Sequence, residues 1–245
     1  MQRLSQLFTS HFGYAPREIV QMAGAGSNRC YARLYAADGT SVIGVCGTSR
    51  AENHAFIYLS SHFAQHGLPV PAIIAVSSDE MVYLQSDLGH RSLYDALNPA
   101  RESKEYGTGE RSLIERAMRL LAHVQVKGAQ GIDTTEMMKP ATFDTLAAMF
   151  DLNYFKYCFF KTTDLPLDET ALQDDFERFA ARLQKASGGS GFLYRDFQAR
   201  NIMLTEGDQP ALIDYQGGRI GPLQYDVASF LWQASAGYPP ELRQA

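Results

Sequence analysis

The fold of this chain can be inferred from one charged segment, Tyr194-Arg195-Asp196-Phe197-Gln198-Ala199-Arg200-Asn201. Asp196 precedes Asn201 by five positions, and Asp214 follows thirteen residues after Asn201. Short apolar runs typical of β-strands flank these three residues, at 192–194, 202–205 and 211–213. The pattern indicates two acids and an amide held beside short strands. The alternative is three unrelated, solvated loop residues.

These residue types are the ones that phosphoryl transfer requires. One carboxylate must orient the attacking hydroxyl and accept its proton, a second must hold Mg²⁺ against the phosphates, and an amide oxygen can supply another metal ligand. The spacing D-x-x-x-x-N, followed by a further Asp, is typical of kinases. Tyr215-Gln216 follows Asp214 where Phe-Gly is usual. The sequence therefore predicts phosphoryl transfer.

Three segments resemble the aminoglycoside phosphotransferase and choline kinase superfamily. They are Arg195-Asp196-Phe197-Gln198-Ala199-Arg200-Asn201, Leu212-Ile213-Asp214-Tyr215-Gln216 and Gly221-Pro222-Leu223-Gln224-Tyr225-Asp226-Val227-Ala228-Ser229. Within the superfamily, the chain resembles bacterial kinases that phosphorylate the anomeric hydroxyl of N-acetylmuramate or N-acetylglucosamine. The resemblance runs through nearly the whole chain and is specific in its last 50 residues.

The resemblance implies an α+β, protein-kinase-like fold with two lobes. Residues 1–88 would form a nucleotide-binding N-lobe around a small antiparallel sheet. Residues 89–245 would form a mainly helical C-lobe that carries the catalytic loop and the acceptor site. Since the chain ends soon after Trp232, we expect a compact member of the family or a shortened form of a longer protein.

The resemblance also assigns roles around the catalytic loop. Asp196 would be the catalytic base, and Asn201 and Asp214 would bind Mg²⁺. Asp226 would be structural, capping a helix that starts near Val227 and bracing the loop. Two further loop residues would contact substrate or phosphate, or else support the loop: Gln198 and Arg200.

Nucleotide binding is predicted at two places in the first half of the chain. A glycine-rich loop between two predicted strands lets backbone N–H groups approach phosphates, and its candidate residues are Gly24, Gly26, Ser27, Asn28 and Arg29. The join between the lobes would bind adenine, chiefly through its backbone, at Gln85, Asp87 and Leu88. ATP and Mg²⁺ are the implied nucleotide and metal.

The lysine that normally pairs with phosphates from the third strand of a kinase small lobe is missing. The segment Ser41-Val42-Ile43-Gly44-Val45-Cys46-Gly47 contains no lysine, and Cys46 stands about where it is expected. Arg29 and Arg50 are the nearest cations in sequence. Glu52 is the candidate ion-pairing acid, and its partner would have to be an arginine.

Hydrophobic periodicity and turn residues predict the remaining elements. In the first half they give a helix at 4–11, strands at 17–22, 30–35 and 41–45 with a turn at Asp38-Gly39, a helix at 52–66, and strands at 72–76 and 81–85. In the second half they give a connection at 99–109, helices at 111–127, 143–160 and 168–185, and a last helix from about Tyr225. Aromatic residues at 150–160 are interpreted as packing between helices, the alternative being the lining of a sugar pocket.

Composition limits the partners and the compartment. The chain has 245 residues, a formal net charge of −5 and 45% hydrophobic residues, which is typical of a globular protein. No clustered basic stripe favours nucleic acid, and no run approaches the length of a membrane span. Three dispersed cysteines and the lack of a signal peptide favour a cytoplasmic protein with reduced thiols. A small-molecule hydroxyl is the expected acceptor.

Two alternatives to a sugar or amino-sugar kinase remain open from sequence. An aminoglycoside kinase would need acids that converge around a cationic acceptor, and the candidate acids are Asp144, Asp151, Asp164 and Asp168. A nucleotide-binding pseudokinase or regulatory module would fit the missing lysine and the early end of the chain.

Overall fold

The computed structural model describes residues 1–22, 29–186 and 190–244. Its helices are α1 (Gln2–Phe12), α2 (Arg50–Gln65), α3 (Leu93–Ala96), α4 (Asn98–Ser103), α5 (Thr108–Lys127), α6 (Thr145–Cys158), α7 (Glu169–Ala186), α8 (Gln224–Leu231) and α9 (Pro240–Gln244). Its strands are β1 (Glu18–Met22), β2 (Cys30–Tyr35), β3 (Ser41–Cys46), β4 (Ile73–Val76), β5 (Val82–Ser86), β6 (Ser190–Leu193), β7 (Ile202–Thr205), β8 (Gln209–Leu212) and β9 (Arg219–Pro222).

The first half of the chain forms a five-stranded sheet in the order β1-β2-β3-β5-β4. Every neighbouring pair is antiparallel. The predicted turn at Asp38-Gly39 joins β2 to β3, and Gly39 adopts a φ of 89° that a residue with a side chain rarely takes. The small antiparallel sheet predicted from sequence is therefore confirmed.

Side chains alternate between the two faces of this sheet, as the pleat requires. On one face, Leu34 and Leu84 pack in a cluster with Leu4 and Phe8 of α1. On the other, residues of β3 and β5 join a larger core with α2, and the members from these elements are Ile43, Val45, Tyr83, Phe56, Leu59 and Phe63. The second face packs against the rest of the protein.

The second half is mainly helical around α5. Its buried stripe recurs at helical spacing and joins the larger core, with Leu113, Ala117, Leu120, Leu121 and Val124 as members. Two small sheets pair β6 with β9 and β7 with β8. The segment at 194–201 connects β6 to β7, and Asp214 follows β8. Since both small sheets are antiparallel hairpin-like pairs, they bring these two loops to one side.

Several predictions about elements were wrong. The region at 99–109 is not a plain connection, because α4 begins at Asn98 with Pro99 in its first turn, where a missing N–H costs nothing, and α5 begins at Thr108. Strand β9 was not predicted, since its four residues carry little β signal alone and depend on pairing with β6.

The aromatic residues of α6 are not packed in the core. Phe150 is 76% exposed and Tyr154 is 72% exposed, and Tyr157 and Phe159 are also more than half exposed. Their helix buries only a narrow face against α7, through Ala147 and Ala148. The interpretation of the aromatic residues as packing between helices is therefore wrong for these four.

The chain passes from the five-stranded sheet to the helical part between Ser86 and Leu93. The division into lobes at 88/89 falls inside this crossing and stays a prediction. Across the ranges that the structure describes, none of the helices has both the length and the apolar character needed to cross a bilayer.

Candidate active site

The catalytic loop is held from behind by Asp226. This residue is fully buried in α8, and its carboxylate accepts hydrogen bonds from the backbone N–H of Tyr194 at 2.8 Å and of Arg195 at 2.9 Å. A third bond comes from Nε2 of Gln125 at 3.3 Å. Burial, only partly offset by these donors, raises the pKa of Asp226 to about 6. The expected helix cap is wrong, because α8 begins earlier, at Gln224.

Arg195 is fixed on both its backbone and its side chain. Its φ of 72° lies in the left-handed region, which costs a residue with a side chain about 1 kcal/mol or more. Its guanidinium donates to Asp151 of α6 at 2.9 Å, and the hydroxyl of Tyr225 donates to the other oxygen of Asp151 at 3.0 Å. The turn before Asp196 is thus held by contacts from α6 and α8.

The catalytic loop and the loop of Asp214 are joined by backbone contacts. The N–H of Ile213 donates to the carbonyl of Asn201 at 3.1 Å, and the buried hydroxyl of Tyr194 donates to the carbonyl of Ile213. Asp214 has a φ of 68°. The three residues that were singled out by spacing, Asp196, Asn201 and Asp214, therefore line one cavity.

Asp196 lies where the cavity opens to solvent. Its carboxylate reaches solvent through the cavity, yet protein atoms surround it. This burial, followed by the negative charge of Asp214, raises the pKa of Asp196 above its ordinary value. A carboxylate with a raised pKa is a stronger proton acceptor, which is the property that a general base needs.

Asn201 and Asp214 offer oxygen atoms of the kind that Mg²⁺ prefers. Nδ2 of Asn201 donates to the backbone carbonyl of Asp196 at 2.9 Å, so Oδ1 is the atom left for a metal. Oδ1 of Asp214 accepts from Nε2 of Gln216 at 2.7 Å. The described residues contain no cluster of three or more His, Cys, Asp or Glu suited to a metal. A magnesium site completed by phosphates and water does not need one, so these residues fit the ion.

A cation reaches the same cavity from the small sheet. The side chain of Arg29 is 4% exposed; its guanidinium lies 2.8 Å from Oε2 of Glu52 and 3.7 Å from Oδ1 of Asp214. Glu52 does pair with an arginine, as the sequence required. The four preceding candidates of the glycine-rich loop lie outside the described residues: Gly24, Gly26, Ser27 and Asn28.

Cys46, which stands in sequence about where the lysine is expected, is on the face of β3 that packs against α1. Cys46 packs with the cluster on the α1 face of the sheet. Val45 belongs to the core on the other face, between Tyr31 of β2 and Tyr83 of β5. A shift of one residue in a strand moves a side chain to the opposite face, and the sequence alone did not fix that parity. Cys46 is therefore on the face of β3 away from the cavity, whereas Ile43, on the same face as Val45, lines the cavity.

The crossing after β5 forms the opposite edge of the cavity, where Asp87 and Leu88 both line it. Asp87 is engaged with the protein itself, because it accepts from the guanidinium of Arg33 at 3.0 Å, from Ser41 at 2.7 Å and from the N–H of Gly89 at 2.9 Å. The side chain of Asp87 therefore positions the crossing. Nucleotide contacts by Asp87 and Leu88 stay predictions.

Two catalytic-loop candidates reach the cavity but also contact the C-terminal part of the chain. Oε1 of Gln198 accepts from Nε2 of Gln233 at 3.0 Å, and Arg200 donates to the hydroxyl of Ser235 at 3.3 Å. Both Gln198 and Arg200 line the cavity. These contacts are compatible with both predicted roles, which are binding of substrate or phosphate and support of the catalytic loop.

The cavity has a volume of about 660 Å³ and includes residues that sequence reasoning did not single out. Tyr31 and Arg33 of β2 follow the predicted Arg29 at alternate positions, and both line the cavity. Their spacing of two residues was the available signal, since alternate residues of a strand share a face. Gln216 and Met203 also line the cavity, and no pattern in the sequence pointed to them.

Solved structures with a similar fold are phosphotransferases of small molecules. The aminoglycoside phosphotransferase APH(4)-Ia matches with a TM-score of 0.66 at 13% identity, over 99% of this chain and 81% of that one. The choline kinase LicA from Streptococcus pneumoniae matches with a TM-score of 0.66 at 10% identity, over 99% of this chain and 77% of that one. At such identities the likeness concerns the fold.

Similar curated sequences include two N-acetylmuramate/N-acetylglucosamine kinases. The protein from Pseudomonas aeruginosa is 25% identical over 227 residues, which are 91% of this chain and 62% of that relative. The protein from Neisseria meningitidis serogroup B is 25% identical over 211 residues, which are 84% of this chain and 58% of that relative. The chain thus spans about three-fifths of the length of these relatives.

A family model matches most of the chain. It matches residues 18–245, which include the five-stranded sheet, the catalytic loop and the segment around Asp226. The chain belongs to the phosphotransferase enzyme family, and it shares its fold with the aminoglycoside phosphotransferase and the choline kinase.

Proposed function

We propose that this chain transfers the γ-phosphate of ATP to a hydroxyl group of a sugar or amino sugar. The observation that carries the proposal is the shared cavity of Asp196, Asn201, Asp214 and Arg29. A base, two oxygen ligands and a cation meet there, as phosphoryl transfer requires. The names of the curated relatives support an amino sugar as the acceptor.

In the proposed reaction, the acceptor hydroxyl lies within reach of Asp196. Its oxygen forms a bond to the γ-phosphorus, the bond from that phosphorus to the β–γ bridging oxygen breaks, and ADP leaves. Asp196 accepts the hydroxyl proton, and its raised pKa favours this transfer. Mg²⁺, when bound, would neutralise charge on the phosphates, and Asn201 and Asp214 would hold it.

Arg29 is the proposed replacement for the missing lysine. Glu52 of α2 holds its guanidinium at 2.8 Å, which is the contact that a lysine on the third strand would make in a kinase. The guanidinium also lies close to Asp214, where the phosphates would approach the metal. A cation in this place argues against a pseudokinase, since the missing lysine was one of the two reasons for considering one.

The distribution of acids argues against an aminoglycoside as the acceptor. Asp144 accepts from the N–H of Ala147 at the start of α6, and Asp168 accepts from two N–H groups at the start of α7. Asp151 is used by Arg195 and Tyr225. The three acids are thus engaged with the protein, whereas a cationic acceptor would need them turned towards the cavity.

The test is a panel of acceptors incubated with ATP and Mg²⁺, in which ADP release and the phosphorylated product are both measured. We expect turnover with N-acetylglucosamine or N-acetylmuramate and none with aminoglycosides or choline. Asp196→Asn should lower turnover by roughly 10²–10⁴-fold and leave nucleotide affinity nearly unchanged. The exposed acid Asp164, changed to Asn, is the matched control. Nucleotide binding without turnover on any acceptor would favour a binding module instead.

The role of Arg29 can be tested separately by nucleotide titration. Arg29→Ala should weaken ATP binding by roughly ten- to a hundredfold, because a charged hydrogen bond contributes about 1.5–3 kcal/mol. Arg29→Lys should retain part of the affinity. The control is Arg50→Ala, which removes the other nearby cation; that side chain is exposed and pairs with Glu80 outside the cavity. Equal losses for both alanine variants would contradict the assignment.

A further inference from the structure

Gln85 lies on the cavity-facing side of β5, one residue before the strand ends. Its neighbours across the sheet are Ile43 of β3 and Ile73 of β4. The residue is 7% exposed, and it lines the cavity together with Tyr83, two positions earlier on the same face. The amide group therefore stands in the wall of the cavity, at the end where the crossing begins.

The side-chain oxygen of Gln85 is buried, and none of the described residues donates to it. Among residues 1–22, 29–186 and 190–244, no group donates to Oε1 of Gln85, and its Nε2 makes no hydrogen bond either. A buried polar group without a partner is unfavourable, and native proteins nearly always satisfy such groups. By contrast, Asp87 and Arg33 in the same wall are fully engaged with one another. A ligand atom would complete the environment of Gln85.

The position of Gln85 identifies which part of a nucleotide would lie there. The phosphate-binding candidates, Arg29 and Asp214, lie together at 3.7 Å from each other and mark one region of the cavity. Ile43, the cross-strand neighbour of Gln85, lines the cavity, as do Leu88 just beyond β5 and Met203. Apolar side chains of this kind suit a purine ring. The base would therefore lie beside Gln85, with the backbone of the crossing at its edge.

On the basis of the proposed function, we propose that Gln85 binds the 6-substituent of the purine and allows the chain to use ATP and GTP with comparable affinity. A glutamine amide has both an acceptor and a donor. Its oxygen can accept from the 6-amino group of adenine, and its NH₂ can donate to the 6-oxygen of guanine. Since no hydrogen bond from residues 1–22, 29–186 or 190–244 fixes either end of the amide, rotation by half a turn presents the other end.

The experiment measures dissociation constants by calorimetry, with Mg²⁺ and non-hydrolysable analogues of ATP and GTP. We expect wild-type constants within about threefold of one another. Gln85→Met, which keeps the size of the side chain, should weaken both analogues by about three- to tenfold. Gln85→Glu presents acceptor oxygens only when ionised, so it should weaken the GTP analogue at least tenfold more than the ATP analogue. The matched control is Gln65→Met, on the exposed end of α2.

A purine nucleotide analogue without a 6-substituent provides a measurement that does not depend on a variant being folded. It should bind the wild type more weakly than the ATP analogue, and the difference should shrink in Gln85→Met. A wild-type preference for one purine above tenfold, or unchanged constants in Gln85→Met, overturns the inference. If the wild type binds neither nucleotide, the proposed function fails, which is distinguishable from failure of the role of Gln85.

Discussion

Two buried carboxylates hold the two edges of the cavity, and they do so with different partners. Asp226 receives neutral donors only, from the backbone of Tyr194 and Arg195 and from the amide of Gln125. Asp87 receives the charged guanidinium of Arg33 in addition to neutral donors. Both carboxylates therefore hold a loop in place, but only Asp87 is paired with an opposite charge.

The difference appears in the pKa values of the two acids. For Asp226, burial dominates and raises the pKa to about 6. For Asp87, burial would also raise the pKa, but the hydrogen bonds from Arg33 and Ser41 outweigh it and lower the pKa below its ordinary value. Neutral donors fix the position of a loop without fully stabilising the charge, whereas a cation does both.

The largest expected effect follows from removing the carboxylate of Asp226, which accepts hydrogen bonds from neutral donors only. Asp226→Ala leaves the backbone N–H groups of Tyr194 and Arg195 without an acceptor in the interior. Nε2 of Gln125 keeps its hydrogen bond to the carbonyl of Leu223 at 2.8 Å. Since each unsatisfied group costs about 1–3 kcal/mol, we expect the free energy of unfolding to fall by about 4 kcal/mol. Denaturation by urea measures it. The control is Glu115→Ala, an exposed acid on α5, which should change it by less than about 0.5 kcal/mol.

A smaller effect is expected at the other edge of the cavity. Asp87→Ala leaves Arg33 without its counterion; the pair lines the cavity, where solvent reduces the cost, so the free energy of unfolding should fall by about 2 kcal/mol. Combining Arg33→Met with Asp87→Leu should be less destabilising than the sum of the two single changes, because no charge remains unpaired. Strict additivity of the two would show that they do not act as a pair.

The catalytic half of the site was accessible from sequence because its residues are close together along the chain. Asp196, Asn201 and Asp214 fall within twenty residues, and short strands hold them at fixed spacing. The small sheet was also predictable from alternation and turn residues. In these regions local chemistry and local geometry point to the same structure.

The other half depends on contacts between distant residues. Arg33 and Asp87 are 54 positions apart, and nothing in either segment identifies its partner. Which face of β3 carries Val45 depends on strand parity, which is fixed by packing against α2. That no described residue donates to the buried side-chain oxygen of Gln85 is likewise visible only when the neighbouring groups have been placed. Such features follow from tertiary structure rather than from local pattern.

The smallest effect concerns pH and separates the two carboxylates directly. The pKa of Asp226 is about 6 in the folded state against an ordinary value of 3.8, so the unfolded chain loses this proton first as pH rises. Stability from this group therefore falls between about pH 4 and pH 6, and the part lost between pH 5 and pH 7 is about 1 kcal/mol. The advantage of the wild type over Asp226→Asn, measured by urea denaturation, should accordingly be smaller at pH 7 than at pH 5 by that amount.

Asp87 has a lowered pKa, so its contribution is present above the unfolded value and is lost only at more acidic pH. The advantage of the wild type over Asp87→Asn should then be equal at pH 5 and pH 7, and an advantage over Asp226→Asn that grew with pH would mean that neutral donors alone stabilise the charge of Asp226.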